Sequence, residues 1–149
     1  MSGDLPNVHA SCVLVGASGV LLRGGSGIGK SRLGDLLVAR ARAQGHFAAH
    51  VADDRVVLAV VNGRLVARAP RSLSGLWERR GEGICRVPAE PRALLRLIVD
   101  LERVSDIERM PDETASGETL LGVPLPRVVL AGEAPHLAAL RIMTRLGKA

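Results

Sequence analysis

Residues Gly24-Gly25-Ser26-Gly27-Ile28-Gly29-Lys30-Ser31 put four glycines into six positions and follow them with a lysine and a serine. The octapeptide fits the pattern G-x-x-x-x-G-K-[ST]. The pattern constrains the fold because such a loop has to join a buried strand to a helix. The apolar run Gly19-Val20-Leu21-Leu22 stands just before it, and a helical pattern starts at Lys30 just after it. The glycines let the backbone curl until successive N–H groups point inward as an anion nest. The helix that follows turns its positive dipole end to the same spot. A phosphate group is the ligand this loop expects, with Lys30 reaching the outer phosphates of a nucleotide and the Ser31 hydroxyl holding Mg²⁺.

Hydrophobic spacing divides the rest of the chain. Val8 to Val15 reads as a strand, Gly16 to Gly19 as a turn, and Val20 to Arg23 as a second strand. Leu33, Leu36, Leu37 and Ala41 recur at helical spacing, and Gly45 is a natural stop. Phe47 to Ala52 is a short strand that runs into Asp53-Asp54. Val56 to Val61 and Arg64 to Ala69 flank Asn62-Gly63, a strong hairpin signal. Pro70 to Trp77 reads as irregular or a short helix, Gly83 to Val87 and Leu94 to Leu101 as strands, and Arg109 to Gly117 as a loop. Leu120 to Leu130 holds one or two short strands around Pro124 and Pro126. Ala139, Ile142, Met143 and Leu146 mark a C-terminal amphipathic helix. Strand–helix–strand early and strands in runs later predict one mixed α/β domain over residues 1–149.

Composition narrows the function classes. One Phe, one Trp and no Tyr leave the core to Leu, Val, Ile and Ala, and leave almost no platform for stacking bases. The net charge is +5, but the basic residues are scattered, with no run longer than Arg79-Arg80. They read as a bias toward arginine rather than a nucleic-acid surface. Cys12 and Cys85 lack metal-type spacing, and both are expected as buried free thiols. No apolar stretch reaches the length of a membrane span, and Met1 to Asn7 does not read as a signal peptide, so a cytoplasmic protein is expected.

Asp53-Asp54 follows a short strand 23 residues after Lys30. Carboxylates at a strand end near a phosphate loop can hold Mg²⁺ or accept a hydroxyl proton. Adjacent residues point opposite ways on an ideal strand, so the two would divide these tasks. His9 on the first strand is a weaker candidate. Arg109 and Arg127 are candidate phosphate clamps, because a guanidinium forks onto phosphate oxygens.

Four blocks in order resemble the bacterial HPr kinase/phosphorylase family. They are His9-Ala10 opening a strand, the loop Gly24 to Ser31, Val51-Ala52-Asp53-Asp54-Arg55-Val56, and Glu78-Arg79-Arg80-Gly81-Glu82-Gly83-Ile84. A fainter trace reaches Glu108-Arg109-Met110-Pro111. The resemblance implies a P-loop kinase domain with a mixed sheet and a phosphoenolpyruvate-carboxykinase-like nucleotide-binding core. Its reaction would move phosphate from ATP, with Mg²⁺, to a seryl hydroxyl of the carrier protein HPr. By the same resemblance Asp54 is the general base with Asp53 beside it, and Lys30 and Gly24, Gly25, Ser26, Gly27, Ile28, Gly29 and Ser31 bind the nucleotide. Ser31, Asp53 and Glu78 contact metal, His9 lies near the phosphates, and Arg109 matches an active-site arginine. A homo-oligomer, hexameric in the family, is implied too.

Three features depart from the family's pattern. The chain starts close to the kinase strand, as a short form without the common N-terminal domain would. Leu125-Pro126-Arg127-Val128 stands where a Pro-Gly-Arg-Asn-type loop tied to dephosphorylation is usual, which leaves phosphorylase activity open. Glu82 replaces an apolar residue. A nucleotide-sensing binding module without phosphotransfer is the second reading of the sequence.

Overall fold

The long strand β9 (Ala93–Glu102) is the axis of the sheet. On one edge it pairs in parallel with β3 (Ser18–Arg23), through Leu97–Val20 to Asp100–Arg23. Its opposite edge is shared: the first residues pair antiparallel with β6 (Arg64–Arg68), and the last five pair in parallel with β12 (Arg127–Ala131). Beyond β3 lie β2 (Ala10–Val15) and β4 (Ala48–Ala52); beyond β6 lie β5 (Val56–Val61) and the short β1 (Asn7–Val8). Two small antiparallel pairs stand apart, β7 (Leu76–Arg79) with β8 (Gly83–Arg86), and β10 (Glu118–Leu120) with β11 (Val123–Leu125). Among the described residues two helices, α1 (Lys30–Ala43) and α2 (Pro135–Arg145), join these strands in a mixed α/β architecture. This computed structural model describes residues 5–103 and 117–148.

Strands buried on both faces explain the near-continuous apolar runs of the sequence. One face of the sheet packs on α1 and α2, where Val13, Val20, Leu22, Leu97 and Val99 meet Leu33, Leu37, Ile142 and Met143. The other face curls over itself, so that Val51 and Ala52 at one end of the strand order share a core with Leu58, Leu65 and Ala67 toward the other. The pairing of β9 with β3 shifts by one residue at Gly19–Val20, where Arg96 is the extra residue. That bulge exchanges the faces: Leu95 belongs to the curled core and Leu97 to the helical one.

Most expected elements form where the spacing placed them. The Asn62-Gly63 turn has φ of 51° and 74°, as a tight hairpin turn requires, and Gly45 leaves α1 at φ 85°. Four expectations need correction. The first strand breaks at His9, because β1 pairs with β5 while β2 pairs with β3 and β4. Pro70 to Trp77 does hold a short helix, of 3₁₀ type at Arg71–Leu73, but after a turn at residues 74–75 the segment ends as the start of β7, which contains Leu76 and Trp77. The stretch after Gly117 forms three strands, β10, β11 and β12, because β10 and β11 pair with each other. Cys12 is a buried free thiol whose pKa burial pushes up to about 12, but Cys85 sits half-buried on β8, outside both cores.

Trp77 is fully buried against α1, and Gly34 makes room for it. A Cβ at Gly34 would lie 2.6 Å from the indole Cζ2 and 3.3 Å from Val13 Cγ1. An interior helical glycine replaced by alanine ordinarily gains about 1 kcal/mol in propensity. Here we expect Gly34→Ala to destabilise by about 1–3 kcal/mol, because the indole is overpacked. Urea unfolding measures the sign.

Candidate functional site

The glycine loop runs from the end of β3 to α1. Gly24, Gly27 and Gly29 have φ of 155°, 77° and 110°, conformations that side chains with a Cβ rarely adopt. A Cβ at Gly24 would strike Ile28 and the Leu101 carbonyl at 2.8 Å, whereas Gly25, Gly27 and Gly29 face open space. Among the described residues no side chain caps α1, and its first turn holds no acidic residue. Its N-terminal N–H groups and positive dipole end are therefore available to an anion, which is the cradle a phosphate needs. Lys30 is buried, and its Nζ donates to the carbonyls of Gly24 at 2.8 Å and Gly25 at 3.1 Å. Burial lowers its pKa, against the opposing charges of Asp54 and Asp53.

Asp53 joins three segments. Its Oδ1 accepts from Ser11 Oγ at 2.6 Å and from Ser31 Oγ at 2.7 Å, and its Oδ2 accepts from the Glu78 backbone N–H at 2.8 Å. The carboxylate is 6% exposed and well satisfied. Asp54 differs in every respect. It adopts φ 69°, in the left-handed region that aspartate tolerates better than most residues, and its side chain is 64% exposed. The His9 Nε2–H donates to Asp54 Oδ1 at 2.8 Å, since an ionised carboxylate only accepts. The two acids do point apart, but through a turn after β4 rather than strand alternation: the Arg55 N–H closes onto the Asp53 carbonyl at 2.8 Å. A cleft of about 810 Å³ opens over this group, lined among others by His9, Lys30, Ser31, Asp53, Asp54 and Glu78.

Two arginine expectations stand differently. Arg109 lies outside the described residues. Arg127 is held elsewhere, its Nε donating to Asp100 Oδ2 at 2.6 Å. Asp100 also takes a two-pronged contact from Arg23, at 2.7 and 2.8 Å, and Arg23 forks onto Glu118 as well. The hydrogen bonds of Glu118 and then of Asp100 raise the Arg23 pKa. Asp100 is pushed up by burial, but the bonds and charges of Arg23 and Arg127 outweigh this and hold it below the usual carboxylate range. This network braces the strand that leads into the glycine loop.

Sequence reasoning missed Ser11, whose signal was a hydroxyl inside an apolar strand, a group that must find a partner. It also missed a polar group behind the loop. Asp35 on α1 accepts from Arg79 and from His50 Nε2, and His50 packs edge-on to Trp77 with ring centroids 4.5 Å apart. His50 is buried and its Nδ1 has no partner among the described residues, so the neutral ring fits the site. Burial lowers its pKa; Asp35 opposes this, and Arg79 and Arg42 reinforce it. The unfolded chain therefore takes up a proton near pH 6.5 that the folded chain refuses until lower pH. We expect stability to fall as the pH drops below the ordinary histidine range, and His50→Leu to flatten that fall. Denaturant unfolding at pH 7.5 and below measures both.

Comparison with known proteins gives the family. A family model described as the HPr Serine kinase C-terminal domain matches residues 4–136. The HPr kinase/phosphorylase of Polaromonas sp. is 34% identical over 143 residues, covering 88% of this chain and 43% of the relative. That of Leptothrix cholodnii is 40% identical over 128 residues, covering 78% and 37%. The chain thus spans about two fifths of the length of these curated relatives. The solved Hpr(Ser) kinase/phosphatase from Coxiella burnetii superposes with a TM-score of 0.80 at 25% identity, covering 96% of this chain and 97% of that one. The chain belongs to the family of HPr serine kinase C-terminal domains.

Proposed function

We propose that the chain is the catalytic domain of an ATP-dependent protein-serine kinase that phosphorylates the carrier protein HPr of the phosphotransferase system. The observation that carries this reading is the junction at Asp53, which holds Ser31 beside the phosphate cradle while Asp54 stands exposed next to it. The names of the relatives, HPr kinase/phosphorylase and Hpr(Ser) kinase/phosphatase, support the substrate.

Phosphoryl transfer asks the protein mainly to position and to neutralise charge. The loop and the first turn of α1 would receive the β- and γ-phosphates of ATP, and Lys30 would turn from its own loop carbonyls toward them. The acceptor seryl oxygen attacks the γ-phosphorus, its proton passes to Asp54, and ADP leaves with the bridging oxygen. His9 occupies Asp54 Oδ1, so the proton would go to Oδ2.

Among the described residues no three carboxylate, histidine or cysteine groups form a ready metal cage. Mg²⁺ needs none, since it keeps waters and binds through one or two protein groups plus the phosphates. Ser31 Oγ, with Asp53 behind it and Glu78 nearby, fits that role, and the ion would supply neutralisation of the phosphate charge. The same reading takes the sheet and loop as a phosphoenolpyruvate-carboxykinase-like nucleotide core, and residues 1–149 as one domain. It takes Arg109 as an active-site residue and the protein as a cytoplasmic homo-oligomer, a hexamer by resemblance. No helix among the described residues is long and apolar enough to cross a membrane.

Incubation with HPr, labelled ATP and Mg²⁺ should put acid-stable phosphate on a serine of HPr, and Lys30→Ala should abolish it. Asp54→Asn should keep nucleotide binding and lose transfer by at least about a hundredfold; near-normal transfer would remove Asp54 as base. Nucleotide binding with no label on HPr would instead favour the nucleotide-sensing module. Excess inorganic phosphate then tests the reverse reaction.

A further inference from the structure

The β7–β8 hairpin carries Glu78 and forms one wall of the cleft, yet it belongs to neither edge of the main sheet. A free two-stranded hairpin is marginal in water, so something else must seat it. Three consecutive residues of β7 do so. The Trp77 Nε1–H donates to the Ser31 carbonyl at 3.0 Å, the Glu78 N–H donates to Asp53 Oδ2 at 2.8 Å, and Arg79 reaches Asp35. The first two bonds end on residues of the site itself. The third ends on a residue one helical turn beyond Ser31, on the same face of α1.

That third contact is the two-pronged one of the three. Arg79 Nε donates to Asp35 Oδ2 at 2.9 Å and Nη2 to Oδ1 at 3.0 Å, the two-pronged geometry that fixes orientation as well as distance. His50 Nε2–H adds a third bond to the same carboxylate at 2.8 Å. The Asp35 and Arg79 side chains are 27% and 36% exposed, so water partly screens the pair. By contrast β8 is largely exposed, with Ile84 71% open to solvent, and offers the hairpin little apolar anchorage.

We infer that Asp35 is a positioning residue. Its carboxylate, through Arg79, clamps the β7–β8 hairpin onto α1 and so fixes where Glu78 stands relative to Ser31 and Asp53. This rests on the kinase reading for its effect on the reaction, but not for the clamp itself.

Trp77 is the chain's one tryptophan and is buried, so its fluorescence reports the hairpin's seat directly. Asp35→Ala and Arg79→Ala should each shift its emission to longer wavelength and raise acrylamide quenching at least about twofold. Phosphotransfer kcat should fall about tenfold to a hundredfold, as misplacement remote from the chemistry does, with KM for ATP little changed. The double variant should be no worse than Asp35→Ala alone, because Asp35→Ala already removes the contact that Arg79→Ala breaks. Arg79→Lys, which keeps the charge on an exposed hairpin but loses the fork, should give a smaller change of the same kind, and it serves if Asp35→Ala does not fold. Unchanged quenching and kcat in Arg79→Ala would overturn the inference, and so would effects that add in the double variant. If the wild-type protein does not phosphorylate HPr, the kinase reading fails, while the quenching series still decides the clamp.

Discussion

One buried carboxylate, Asp53, carries a large share of the site's architecture. It satisfies a hydroxyl from β2, a hydroxyl from the first turn of α1 and a backbone N–H from β7. A carboxyl group at this depth is tolerated only when hydrogen-bond partners surround it, and three segments meet to provide them. The cost of leaving any one donor unpaired, about 1–3 kcal/mol, makes the arrangement cooperative. Ser31 is thereby held in front of the glycine loop, and Asp54, the next residue, is delivered to the surface by the turn that follows.

The sheet serves this junction. β3 and β9 run in parallel side by side and bring the glycine loop and Asp100 to the same end of the sheet. Arg23, the last residue of β3, is pinned there by Asp100 and Glu118. The loop is thus anchored at both ends, by an ion-pair network before it and by a helix packed on the core after it. The curled half of the sheet contributes in another way: the Leu58 N–H bonds to the Pro6 carbonyl and holds the segment that leads to His9, whose ring meets Asp54.

Much of this was legible before any coordinates. The glycine loop, α1, the Asn62-Gly63 hairpin and the C-terminal helix all follow from local signals of φ requirement and periodicity. The candidate residues His9, Lys30, Ser31, Asp53, Asp54 and Glu78 do converge on one cleft. What escaped were features whose reason lies in a distant partner. β7 was hidden because Leu76-Trp77 is a very short apolar run before the charges Glu78-Arg79-Arg80, and the burial of Trp77 depends on the gap left by Gly34. Arg127 could be placed only once its carboxylate partner, 27 residues away, was known. Asp35, Arg79 and His50 are ordinary polar residues in sequence, and no spacing rule joins positions on a helix, a hairpin and a strand.

The sequence by itself determined the kind of chemistry. A backbone that must take positive φ next to a lysine and a serine is the pattern expected of a phosphate cradle, and adjacent aspartates are the groups expected to serve one. These are local properties, set by which side chains stand within a few residues. Tertiary structure alone decided the division of labour. Asp53 and Asp54 are the same residue type side by side, and only their donors make one a buried brace and the other an exposed acid. The same holds for the arginines, since a guanidinium becomes a clamp, a strut or a surface charge according to the carboxylate that the fold brings to it.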